Sequence, residues 1–129
     1  MSKHETPLTV RYWESIGGSL IEEFPAVLRG PSNAQRLIDG VIVLDGKQRR
    51  IKHHEITLQD RNIIVIQTKA SRLGMYLMGQ ALFSAELMKP FNPRSIRTVA
   101  ICTRDDSVLR PICERAGIEV IVFKDEHDV

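Results

Sequence analysis

The chain has few of the features that mark disulfide-rich, zinc-binding or membrane proteins. Only two of its 129 residues are cysteines, Cys102 and Cys113, and they do not form C-x-x-C pairs, so we expect two buried free thiols. No apolar run approaches the roughly 18 residues of a membrane span, and residues 1–5 contain no apolar signal core. We therefore expect a cytoplasmic protein with no membrane partner.

The chain also lacks a strong charge of either sign. Its 18 Lys and Arg residues against 16 Asp and Glu residues leave a net charge of +2, which is too small to identify a ligand class. Hydrophobic residues make up 43% and charged residues 26%, so disorder is excluded and a single domain over residues 1–129 is predicted. The phosphate-loop patterns GxGxxG and GxxxxGK[ST] are absent, as is a serine nucleophile elbow.

Hydrophobic spacing predicts a helix followed by strands in the first half of the chain. Leu8–Ile16 has a helical spacing that stops at a glycine pair. Ser19–Leu28 suits a strand at a sheet edge better than a continuing helix, because Pro25 would damage a helix. Leu37–Leu44 is rich in β-branched residues and ends at Asp45-Gly46, which predicts a strand leading into a tight hairpin.

The second half predicts a buried helix and a βαβ unit. Ile63–Lys69 is a β-branched strand, and Ser71–Met88 is a helix that is apolar around much of its circumference, so it should be largely buried. Residues 98–102, 106–116 and 119–123 then predict a strand, a helix and a parallel strand. The whole order predicts an α/β domain with a mixed central sheet flanked by helices.

Polar residues interrupt the two most apolar strands. Side chains alternate along a strand, so Gln67 and Lys69 are predicted to share one face, and Asp39 interrupts the apolar run of the neighbouring strand. A carboxylate is costly to bury unless it is paired or binds a cation. If the two strands pair, these residues form a compact group of oxygen ligands with one ammonium. Taken singly, each residue is explained better as a bend or strand-end residue, whereas the three in this order favour a site.

Asp39 followed 28 residues later by Gln67-Thr68-Lys69, within the order αβββαβ, resembles the PD-(D/E)XK nuclease superfamily. The resemblance implies a restriction-endonuclease-like core with an additional C-terminal helix and strand. It further implies that Asp39 and Gln67 bind a divalent metal ion and that Lys69 assists the attacking water or the transition state. A glutamate of the first helix often completes such sites. Glu14 fits that place best, and Glu23 is the alternative if the helix runs later.

Two departures from the superfamily pattern affect the expected metal site. Ile38 stands in place of the proline, and Gln67 in place of the usual acidic residue. An amide oxygen still serves as a ligand, but the lost negative charge should weaken binding of Mg²⁺ or Mn²⁺. The expected ligands are Asp39, Gln67, the backbone carbonyl of Thr68, and Glu14.

Two further groups of residues are candidates for contacts with nucleic acid. A basic segment suits phosphate contacts, although a solvated loop is an equal explanation; it comprises Lys47, Arg49, Arg50 and Lys52. Arg72, Tyr76 and Gln80 are spaced by four and share one face of the long helix, near the site or as core polar residues.

Three functions remain open from the sequence. The first is a Mg²⁺-dependent endonuclease acting on DNA, as a homodimer where both strands are cut, because paired cleavage requires two sites. The second is an inactive or weakly active nucleic-acid-binding or assembly domain of the same fold. The third, based on the βαβ half alone, is a flavodoxin-like module, which requires a mainly parallel sheet.

Overall fold

The computed structural model describes residues 1–124 and contains helices and strands that alternate along the chain. In order, the elements are α1 (Thr6–Ile16), β1 (Ser19–Val27), β2 (Arg36–Val43), β3 (Arg50–Ile51), β4 (Asn62–Thr68), α2 (Met75–Met88), β5 (Ser95–Cys102), α3 (Leu109–Arg115) and β6 (Ile118–Val122). Short 3₁₀ helices occur at His53–Glu55 and Lys89–Phe91. The predicted first helix, core strands and βαβ tail are confirmed, and the strand predicted at a sheet edge is β1, which the short β3 covers at Leu20 and Ile21.

The strands form one mixed sheet in the order β3-β1-β2-β4-β5-β6. β2 is antiparallel to both β1 and β4, whereas β4, β5 and β6 run parallel to one another. The predicted α/β class with a mixed sheet is therefore confirmed. The antiparallel first half does not fit a flavodoxin-like module.

Helices cover both faces of the sheet, so its central strands are buried on both sides. On one face, Tyr12 and Trp13 of α1 pack against Ile64 and Ile66 of β4. On the other face, α2 packs against β4 and β5, and α3 packs beside it. A polar residue near the end of β4 must therefore find a partner within the protein, which locates the candidate site.

The tight hairpin predicted at Asp45-Gly46 is wrong, although the predicted antiparallel pairing of β2 with β4 is confirmed. Residues 44–61 instead pass around the outer edge of β1, where β3 adds a short parallel pairing. Gly46 lies against Ser19, whose hydroxyl donates to the carbonyl of Lys47 at 2.6 Å, and a Cβ at position 46 would overlap the Ser19 side chain. The Asp45-Gly46 turn thus directs the chain away from β4.

The long helix begins later than predicted and is buried on one side only. Residues 71–73 remain extended beside β5, because Thr103 donates its N–H to Ser71 and Leu73 donates to Arg104. The residues of α2 that face the sheet are Leu77, Ala81, Ser84 and Met88. Met75, Tyr76 and Phe83 are 76%, 74% and 65% exposed. A helix that is apolar around its whole circumference can therefore leave one apolar face exposed to solvent.

Cys102 and Cys113 are both buried and form no disulfide, as the sequence predicts. Burial raises the pKa of each thiol above its ordinary value, which keeps both in the neutral form. In residues 1–124, none of the helices combines the length and apolar character needed to cross a membrane.

Candidate functional site

The site lies where β2 and β4 separate. Their last paired residues are Gly40 and Ile66, so Thr68, two residues further along β4, pairs with Ile101 of β5 but with no residue of β2. The Asp39 carboxylate fills this position and accepts the backbone N–H of Thr68 at 2.9 Å. The end of the antiparallel pairing therefore fixes a carboxylate at the edge of the core.

Burial dominates the electrostatics of Asp39. It raises the pKa of this carboxyl from 3.8 to about 6, since a charge is poorly solvated there. The hydrogen bond from Thr68 acts in the opposite direction, and the nearby charge of Glu23 adds to the increase. A positive charge placed beside Asp39 would relieve both the desolvation and the repulsion.

Glu23 lies across from Asp39 on β1. The register pairs Glu22 with Gly40 and Phe24 with Ile38, which leaves Glu23 opposite Asp39. Its backbone has a φ of 52°, a left-handed conformation that costs a residue with a Cβ about 1–2 kcal/mol. Such strain concentrates at functional sites. Glu23 was the alternative to Glu14, and it belongs to β1 rather than to the first helix.

A positive charge already lies beside Glu23. The α-ammonium of Met1 is 2.7 Å from Glu23 Oε1, and the Met1 side chain is almost fully buried. The hydrogen bond to Glu23 is the main reason that the pKa of this amine is raised, and the charges of Asp39 and Glu5 add to it. Cations are therefore stabilised at this position.

A buried hydroxyl pair joins the site to α1. The Oγ1 atoms of Thr68 and Thr9 are 2.8 Å apart, and both residues are buried. Thr9 also donates to the backbone carbonyl of Glu5 at 3.2 Å. The backbone on which Asp39 rests is thus held by α1 as well as by the sheet.

Gln67 faces the other side of the sheet. Its Nε2 donates to Ser84 Oγ of α2 at 2.7 Å, and both side chains are buried. In the described part of the chain, this is its one side-chain hydrogen bond. Gln67 also lines a groove beside α2 with Tyr76 and Gln80.

Lys69 lies on the α1 side, so the prediction that it shares a face with Gln67 is wrong. β4 ends at Thr68, and strand alternation does not extend to the next residue. Lys69 is exposed and lines an open cleft of about 670 Å³ at the carboxyl ends of the parallel strands. Burial alone would raise the pKa of the Glu5 carboxyl. Hydrogen bonds from Ser2 and the charge of Lys69 outweigh burial, so this pKa is lowered. The basic side chains of the cleft are Lys3, Arg11, Lys69 and Lys124, beside His4.

Glu14 and the basic segment lie apart from this group. Glu14 is exposed on α1, five residues beyond Thr9. The pKa of Arg50 is raised mainly by its hydrogen bond to Glu22, and the charge of Glu14 adds to the increase. Arg50 itself pairs with Glu22 at 2.6 Å at the outer edge of β1. Lys47, Arg49 and Lys52 are exposed along the same edge. Phosphate contacts from this segment would therefore lie across β1 from Asp39.

Arg72 lies apart from Tyr76 and Gln80, although the sequence predicts that all three share one helix face. Arg72 donates to the backbone carbonyl of Asp105 at 2.9 Å, which ties the loop after β4 to the loop after β5. Tyr76 and Gln80 are exposed in the groove that Gln67 lines, on the opposite side of the sheet from Lys69. The structure thus divides the predicted helix-face group between two surfaces.

Sequence reasoning missed Glu5, Thr9 and Arg11. Glu5 lies just before α1, and Thr9 and Arg11 lie within it. The i,i+4 spacing of Glu5 and Thr9 in the sequence indicates that they share a helix face, but it does not indicate which strand that face packs against. In residues 1–124 no group of three or more His, Cys, Asp and Glu side chains is arranged to hold a metal ion. Two carboxylates with water ligands are nevertheless sufficient for Mg²⁺.

Comparison of the chain with protein-family models, curated proteins and solved structures gave no match.

Proposed function

We propose that the chain is a nuclease-like domain, with a restriction-endonuclease-like αβββαβ core, that hydrolyses DNA phosphodiester bonds with Mg²⁺ or Mn²⁺. One observation carries the proposal: the partly buried Asp39 carboxylate is fixed on the Thr68 N–H at 2.9 Å, with Glu23 opposite it. Paired carboxylates at a sheet edge are the donors that hard divalent cations prefer.

The residues present fit a divalent ion. Asp39 and Glu23 would hold it, in place of the ammonium that now lies beside Glu23. The ion would supply Lewis-acid polarisation of the phosphate and a lowered pKa for a bound water. Gln67 is assigned a weaker role than the sequence predicts, because its amide nitrogen is committed to Ser84.

The basic cleft suits the phosphate backbone. Lys69 is exposed there beside Lys3 and Arg11, and it lies one residue from Thr68, which contacts Asp39. Its ammonium can offset the negative charge that develops on a phosphate during hydrolysis. Arg11, held over the ring of Phe123 at 4.2 Å, presents a second fixed positive charge. The cleft thus provides electrostatic binding at the end of β4 that follows Thr68, the residue that contacts Asp39.

The test is cleavage of plasmid, single-stranded and branched DNA with Mg²⁺ or Mn²⁺. Asp39→Asn, Glu23→Gln and Lys69→Ala should each reduce cleavage by at least about 100-fold. Glu14→Gln is the matched control for Glu23→Gln and should retain wild-type activity, because Glu14 lies apart from Asp39. Equal cleavage by wild type and Asp39→Asn would contradict the site assignment.

A second candidate is a nucleic-acid-binding or assembly domain of the same architecture that does not catalyse hydrolysis. The hydrogen bond that holds Gln67 on Ser84 favours it, since an amide replaces the second acidic ligand there. This function requires DNA binding that weakens with salt and is unchanged by EDTA, with no cleavage under any metal condition.

A further inference from the structure

The outer side of α2 exposes an apolar surface beside the start of β2. It consists of Met75, Tyr76, Gly79 and Phe83 together with Leu37, and we call it the α2 outer face. Leu37 is 43% exposed, and the three large α2 side chains are exposed by 65% or more. A groove of about 660 Å³ runs along it. The largest contiguous apolar surface of a protein is often an interaction site.

We infer that the α2 outer face binds the same face of a second copy of this chain, forming a two-fold symmetric dimer. Area is the first argument. The two exposed aromatic side chains, Tyr76 and Phe83, offer up to about 150 Å² each, and Met75 and Leu37 enlarge this apolar centre, while a standard interface buries approximately 800 Å² per partner. Polar residues at the rim supply the remainder.

Shape is the second argument. No atom outside the immediate chain lies within 4 Å of the place where a Gly79 Cβ would be, so this residue leaves a notch in the helix surface. Phe83 projects one turn further along the same face. Two antiparallel α2 helices related by a two-fold axis level with residue 81 place each Phe83 against the Gly79 of the other copy. The face is therefore complementary to itself.

Charge is the third argument. Glu86 is the one charged residue of α2, and it pairs with Lys89 at 2.8 Å in an exposed contact that water screens, so self-pairing brings no cluster of like charges together. Arg36 begins β2, which runs in the same direction as α2, so Arg36 and Glu86 lie toward opposite ends of the groove that both line. Reversing one helix across a two-fold axis brings each Arg36 near the Glu86 of the other copy. Unlike charges thus meet at both ends.

Sedimentation velocity of the full chain from micromolar to sub-millimolar concentration tests the inference. Wild type should shift from monomer to dimer, and Phe83→Glu should remain monomeric because it places a charge in the apolar contact. Val108→Glu is the matched control, since Val108 is 70% exposed and lies outside the groove. A wild type that stays monomeric, as expected for a face that binds a different protein, or a Phe83→Glu variant that still dimerises would overturn the inference.

Crosslinking provides a second measurement that does not depend on the charged variant. Chains carrying Gly79→Cys, mixed with chains carrying Phe83→Cys and oxidised, should form a disulfide-linked dimer. The native Cys102 and Cys113 are fully buried and will not compete. Gly79→Cys mixed with Val108→Cys should give only background crosslinking. Equal yields from both mixtures would overturn the inference.

Discussion

Asp39 accepts the backbone N–H of Thr68 at 2.9 Å, so a side chain continues the antiparallel pairing where the β2 backbone leaves β4. The protein thereby keeps the N–H paired and holds a carboxylate in a fixed orientation. The arrangement has an electrostatic cost, because burial disfavours the charged form of Asp39. A group that is costly for folding and well oriented for a cation is expected of a functional residue.

Asp39 should make stability fall as the pH rises. Its folded-state pKa is about 6 against 3.8 when unperturbed, so the folded protein holds a proton that the unfolded chain releases. The penalty is absent below pH 4, develops between pH 4 and 6, and is fully present above pH 6. Asp39→Asn keeps an acceptor for Thr68 and should increase the free energy of unfolding at pH 8 by up to about 3 kcal/mol. Urea denaturation from pH 4 to 8 measures this.

Asp60→Asn is the control for that experiment. Asp60 is exposed, and its hydrogen bonds from Arg94 lower the pKa of its carboxyl, so the substitution should act in the opposite direction and slightly destabilise the protein at neutral pH. An Asp39→Asn protein with the pH profile of wild type would contradict the assigned burial of the charge.

Mg²⁺ should raise the melting temperature of wild type but not of Asp39→Asn.

The hydroxyl pair of Thr9 and Thr68 should respond unequally to substitution. Thr68→Val leaves Thr9 with its second acceptor, the carbonyl of Glu5, whereas Thr9→Val leaves the buried Thr68 hydroxyl without its partner. We expect Thr9→Val to cost about 1–3 kcal/mol and Thr68→Val less. The double variant should cost less than the sum of the two, and a double-mutant cycle by urea denaturation measures the coupling. Strict additivity would contradict the contact.

The sequence predicts most of the fold because hydrophobic spacing reports burial directly. Ile63–Val65 and Leu37–Val43 are strands because alternation and β-branching agree, and the mixed sheet follows from their order. The hairpin predicted at Asp45-Gly46 was wrong because a turn signal fixes the local backbone geometry. It does not determine which strand the chain pairs with next. The exposed face of α2 was missed because an all-apolar helix gives no indication of which side lacks a partner.

The site was predicted only in part. Asp39 stands out in sequence as a charge within an apolar strand, and the structure places it against Thr68. The expected face for Lys69 was wrong because the strand ends one residue before it. Glu23 was a second choice, since its position depends on the β1–β2 register and a left-handed backbone, which local patterns do not encode.

The backbone conformation of Glu23 should show in glycine substitutions. Glu23→Gly removes the Cβ penalty at φ 52° and also the contact with the Met1 ammonium, so these two effects offset each other and the free energy of unfolding should change little. Glu22→Gly, the adjacent control, has no such compensation and also loses the contact with Arg50, so it should be more destabilising by at least about 1 kcal/mol. Thermal and urea denaturation of both variants provide the comparison. Equal losses would indicate that Glu23 is not strained.

Gln67→Glu separates the catalytic from the non-catalytic function. Without metal, a carboxylate at this position, 5% exposed, should lower the free energy of unfolding at pH 8 by about 1–3 kcal/mol, even though Ser84 can donate to it. If the domain is a metal-dependent nuclease, Mg²⁺ should stabilise Gln67→Glu more than wild type, because the added negative charge lies one residue from Thr68, which contacts Asp39. Calorimetric titration with Mg²⁺ and melting curves measure both effects. Gln80→Glu, an exposed control in the same groove, should change neither, and a Gln67→Glu protein with wild-type metal response would favour the binding or assembly domain.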